Sequence, residues 1–178
     1  MLNRGSKKSG YTLVEVLVVV SIMGILSGLG VAGLRGAVIN SRMKDCALNT
    51  TAFLERMANE ANRISKRLCI VADNDQRLTA YINDDCTDMS AAEVFDSFVL
   101  EAPAKFGCDN QITIDYDGGD WSQDGAVFVP RIGLSAAPAE GYVCMQYGSS
   151  TVYAMAHKMK NNNMIIPKWR AGSVWNKL

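Results

Sequence analysis

The sequence predicts an α+β chain in which one long N-terminal α-helix packs on an antiparallel β-sheet head. Three observations predict it. Residues 11–34 form an apolar run holding a single charge, Glu15. Residues 35–67 then carry apolar side chains at Ile39, Met43, Cys46, Phe53, Met57, Ala61 and Ile64, with Thr50 filling the gap, a mean spacing close to the helical period. From Leu68 onward the period falls to two. A helix followed by antiparallel strands is the α+β order. The expected divisions are a short leader (1–10), an all-apolar helix (11–34), an amphipathic helix (35–67) and a β-rich head (68–178). At 178 residues the chain has room for one ordinary domain and an appendage.

The first ten residues, MLNRGSKKSG, hold Arg4, Lys7 and Lys8 and no acid. The 24 residues that follow would span about 36 Å as a helix, enough for a hydrocarbon core of about 30 Å. That length and the sharp basic boundary argue against a buried soluble helix. A secretory signal peptide shares the basic start, but its apolar core runs about 7–15 residues. Glu15 also sits near the start of the run, where insertion of a carboxylate costs about 2.5–3.5 kcal/mol. Only a faint small-residue site at 31–33 could close such a signal.

Lys8-Ser9-Gly10 followed by Tyr11-Thr12-Leu13-Val14-Glu15 resembles the signal of type IV prepilins and type II secretion pseudopilins. That pattern is a basic leader, a glycine, a bulky residue, then Thr-Leu-aliphatic-Glu opening an apolar helix. The resemblance implies that prepilin peptidase cuts after Gly10 and methylates the new amine of Tyr11, where relatives more often carry Phe. A carboxylate in hydrocarbon needs a partner. In a stack of identical helices, Glu15 of one subunit could meet the Tyr11 amine of the next and fix register. The implied partners are prepilin peptidase, other pilins or pseudopilins, and inner-membrane lipid. The implied location is the bacterial inner membrane, single-pass with a periplasmic head, and then a filament. Arg4, Lys7 and Lys8 on one side face Arg35, Arg42 and Lys44 on the other, so orientation rests on the motif and not on a charge bias.

Gly24, Gly28, Ala32 and Gly36 recur every four residues along one helix face, where small side chains permit close helix approach in a membrane. This run also stands where many pilins have a helix-disturbing proline. In the head, residues 69–84 read as a hairpin, 91–98 as a short helix, and 111–130 as a second hairpin around YDGGDWSQDG. Strands follow at 141–147 and 151–159, with 164–169 the last. This order resembles the GspH/FimT class of minor pseudopilins and minor pilins, which implies a helix packed against two small sheets. The head is too strand-rich for a major pseudopilin.

The formal charge of zero hides an asymmetry. Residues 73–140 hold fourteen acids against Arg77, Lys105 and Arg131, whereas residues 141–178 hold Lys158, Lys160, Lys168, Arg170 and Lys177 and no acid. Asp115, Asp117, Asp120 and Asp124 could cage calcium. Their spacing does not match an EF-hand loop, and Asp and Gly also dominate plain turns; a turn without a cofactor is the expectation. Lys168, Trp169 and Arg170 could hold nucleic acid through phosphate contacts and stacking. The favoured alternative is a final strand whose tryptophans cover the core and whose cations face the acidic middle.

Five cysteines without a CxxC pair, beside a single histidine, His157, do not read as a zinc site. Outside the cytoplasm they would form disulfides, and Cys86 with Cys108 is the expected pair. No nucleophile–base pair or nucleotide fingerprint is present, so no enzyme is expected. The expected function is structural: a minor pseudopilin or minor pilin. The competing readings are a DNA-capturing or adhesive tip pilin, and a signal-anchored periplasmic binding domain.

Overall fold

The computed structural model describes residues 10–108, 112, 114, 118–131, 140–159 and 164–178, with Ala32 by its backbone. Leader residues 1–9, Asp115, Asp117 and Lys160 therefore lie outside the described residues. The chain divides into two units between Val38 and Ile39. Helix α1 (Leu13–Ile64) contributes to both.

In the first unit α1 has no buried side. Every described side chain from residue 11 to 38 is exposed. In the second unit the apolar positions turn inward: Met43, Ala47, Leu54, Met57 and Ala61 are wholly buried. Full burial of a large aliphatic side chain contributes about 1.5–3 kcal/mol, so this stripe holds the helix to the sheets. Thr50, buried in the same stripe, directs its hydroxyl to the Met145 sulfur at 3.1 Å. The helix stops at Ile64, because Ser65 takes a left-handed φ of 54° and its N–H bonds Asn62 O at 3.3 Å.

The head contains two sheets. In the first, β1 (Leu68–Asn74) lies between β2 (Arg77–Ile82) and β6 (Ala126–Phe128), and β3 (Glu93–Val99) borders β2. Alternation sends Leu68, Ile70, Leu78 and Ala80 inward. The second sheet runs β10 (Trp175–Lys177), β9 (Ile165–Ala171), β8 (Val152–Lys158), β7 (Gly141–Tyr147), β4 (Ala104–Phe106). The short β5 (Gly119–Asp120) pairs β7 in parallel, and every other ladder is antiparallel. Val143, Met145, Ala154, Ala156 and Ile165 face the same core as the helix stripe.

The α+β class holds, with three departures inside it. Residues 91–98 do not form a helix; β3 occupies most of that segment because Phe98 stacks on Phe53 at 5.6 Å between centroids. Of the expected hairpin over 111–130, the first strand lies mostly outside the described residues, and the second, β6, pairs with β1, Leu68 opposite Phe128. The chain does not end its sheet at 164–169, since β10 folds back on β9. The expected Cys86–Cys108 bond is replaced by Cys69–Cys86 and Cys108–Cys144, with Cα separations of 5.5 and 5.6 Å. Cys69 and Cys144 lie fully buried within strands, so sheet register selects their partners.

Candidate functional site

The candidate site begins at the first turn of α1. Thr12 is its N-cap: the Thr12 hydroxyl oxygen accepts the Glu15 N–H at 3.2 Å, and the Thr12 carbonyl accepts the Val16 N–H at 3.3 Å. Thr12 and Glu15 thus stand at Ncap and N3, the Thr-x-x-Glu spacing of a capping box. A carboxylate in a first helical turn also interacts favourably with the helix dipole. This signal is local to the sequence, where the same Thr12 also fits the processing pattern.

Glu15 is the only charge in the apolar run, and among the described residues it has no ion-pair partner. Tyr11 is 83% exposed. Tyr11, Glu15, Val16, Val19 and Val20 line a shallow groove on the helix, with four carbon-rich side chains around one carboxylate. Farther along, the Ser21 hydroxyl donates to Leu17 O at 2.8 Å, which satisfies it without water. The helix is long and apolar enough to cross a membrane, with a mean hydropathy of 2.3 over its most apolar stretch.

Among the described residues, a Cβ at Gly10 would meet nothing within 4 Å. The same holds at Gly24, Gly28 and Gly36. Gly30 and Gly33 are equally open, so the choice of a packing face rests on the four-residue spacing alone.

The head's candidate residues do not converge. Trp169 packs against the core, and the Lys44 ammonium lies over its ring at 4.5 Å from the centroid. Lys168 and Arg170 alternate to the other sheet face, opposite Met155 and Tyr153. Arg170 stacks beside Trp175 at 5.9 Å and donates to Gly172 O at 2.8 Å. Asp120 accepts from the Ser122 N–H and hydroxyl at 3.0 and 2.8 Å, the bonds of an Asx turn. Burial pushes its pKa up, the Ser122 bonds oppose that shift, and Asp124 adds to it. Among the described residues no three His, Cys, Asp or Glu side chains gather as metal ligands.

The two disulfides leave Cys46 as a free thiol. Burial raises its pKa, with Asp45 and Glu101 adding and Arg42 opposing. It is thus a protonated thiol and not an activated nucleophile. His157 is held to about 4 by burial and by Lys168, so it is neutral at neutral pH.

Comparison with known families gives one match, the prokaryotic N-terminal methylation motif over residues 5–31. The match supports a type IV pilin-like chain. No curated protein and no solved structure matches it. The motif implies processing by prepilin peptidase and assembly with other pilins, and its family is structural rather than enzymatic. A pilin-like N-terminus and an apolar helix together suit anchoring in an inner membrane.

Proposed function

We propose that this chain is a structural subunit of a type IV pilus or a type II secretion pseudopilus, of the minor GspH/FimT kind. It is made with a leader, cut after Gly10 and methylated on the new Tyr11 amine. One observation carries the reading: a lone carboxylate, Glu15, stands one turn from Tyr11 in an apolar stretch of α1 whose described side chains are all exposed. In hydrocarbon that carboxylate calls for a cation, and cleavage creates one on Tyr11 of every copy. Pairing between neighbours would then set register, the best-attested use of a buried charge pair.

The two disulfides in the head support its placement in an oxidising compartment, the periplasm. The two-sheet head supports the GspH/FimT resemblance. Trp169 lies under Lys44 and on the core, which favours a structural tail over a stacking surface for nucleic acid. The test is co-expression with a prepilin peptidase and mass spectrometry of the product. The expected N-terminus is N-methyl-Tyr11, and Gly10→Val should leave the leader attached. A product cut elsewhere, or cut equally well in Gly10→Val, would overturn the reading.

A further inference from the structure

Each sheet of the head has open edges among the described residues, and one edge of each, β3 and β10, lies in a stretch of opposite charge. Among the described residues, β3 and β10 have no strand on their outer sides. The seven-residue β3 is the longest free edge, since β4, β6 and β10 have three residues each. Open edges invite pairing with another chain.

The stretch 83–103 holds six acids, Asp84, Asp85, Asp88, Glu93, Asp96 and Glu101, and no base. Arg56 takes Asp96 at 2.7 Å, and the other five are exposed. Hydrogen bonds from Thr87 hold the Asp85 carboxyl below its ordinary pKa, and bonds from Ser90 do the same for Asp88, so both stay charged. The stretch 164–178 holds Lys168, Arg170 and Lys177 and no acid. Exposed apolar side chains flank both edges, Val94 and Val99 on one and Val174 on the other.

We propose that β10 of one copy of this chain adds to the outer edge of β3 in a second copy. Joining two β3 edges would lay two acid-bearing strands, each with Glu93 and Asp96, side by side, and joining two β10 edges would do the same with two strands that each carry Lys177; like charges brought close across a ladder are destabilising. The unlike edges join with charges matched, and each added strand gains main-chain hydrogen bonds. Such a contact uses two different surfaces, so it repeats along an assembly instead of closing as a dimer. A three-residue strand buries too little to hold in dilute solution. The inference therefore rests on the filament reading, in which the membrane helices keep neighbouring heads at high local concentration.

The test uses the full chain in membranes, with Cys46→Ser removing the free thiol. Two tagged forms are co-expressed, one with Val94→Cys and one with Asn176→Cys, and joined by a short thiol cross-linker. The mixed dimer should exceed a Val94→Cys and Ser149→Cys control severalfold. Lys177→Glu should cut it at least threefold, and Glu93→Lys in the partner should restore most of it. Yield at the control level, or yield indifferent to Lys177→Glu, overturns the proposal. A third pair, Val16→Cys in both copies, separates the two readings. If helices link while heads do not, the edge contact alone fails; if neither links, the filament reading fails with it.

Discussion

Gly141 lies so close against the Trp121 indole that a Cβ at this position would overlap the ring at Nε1. The two are brought together by β5 pairing alongside β7, with the Trp121 backbone N–H donating to Tyr142 O at 2.7 Å. Trp121 in turn meets Phe128 edge-on at 6.1 Å, so the ring cannot retreat without disturbing the first sheet. Gly141→Ala should cost about 1–3 kcal/mol, the usual penalty for overpacking. For a chain of this size each kcal/mol lowers Tm by about 2–4 °C. A thermal melt of the detergent-solubilised protein with an unchanged midpoint would contradict this packing.

Glu15→Ala should leave cleavage after Gly10 intact and abolish incorporation into filaments. Glu15→Gln should do the same, because it keeps the shape and hydrogen-bonding capacity of the side chain but not its charge. Sheared-filament yield and the mass of the mature protein read the two steps separately. Normal incorporation of Glu15→Gln would remove the charge pair from the account.

Peptide mapping without reduction should return Cys69 joined to Cys86, Cys108 joined to Cys144, and Cys46 alkylated. A fragment joining Cys86 to Cys108 would refute this pairing. The two closures span 17 and 36 residues, and on loop-entropy grounds each contributes about 3–4 kcal/mol. Reduction should therefore lower the denaturation midpoint of the head well before any change in the membrane helix.

His157 gives the head a pH dependence of defined sign. Its pKa falls from 6.5 to about 4 on folding, so the unfolded chain binds the proton more readily between those values. Its contribution is fully present above pH 6.5 and is lost as pH falls toward 4. Urea midpoints measured from pH 7 to pH 4 should fall less steeply in His157→Gln than in the parent. Equal slopes would show that His157 has no part in the acid response.

The features legible in the sequence were those with local causes. An apolar run with one acid needs no tertiary information to be read, because the cost of Glu15 in hydrocarbon depends on its own surroundings. The inward stripe at Met43, Met57 and Ala61 followed from helical periodicity alone. What stayed illegible depended on distant partners. The segment around Val94 and Phe98 fits a short helix or a strand by pattern, and the ring of Phe53 decided it. Cys86 and Cys108 both sit in loop-like sequence, which suggests pairing with each other, whereas the register of β1 and the position of β7 set Cys69 and Cys144 beside them. The N-cap role of Thr12 was local and readable, but the same residue also fits a processing motif, and one explanation hid the other.

The described hydrogen bonds that open α1 run among Thr12, Glu15 and Val16, all beyond the cut after Gly10. Removing the leader would take none of those bonds with it. On the proposed processing, maturation is a chemical edit that leaves these described bonds of the first turn in place. The membrane can then hold a reserve of finished helices that lack only a terminal charge, and the pace of assembly passes to the enzyme that releases it.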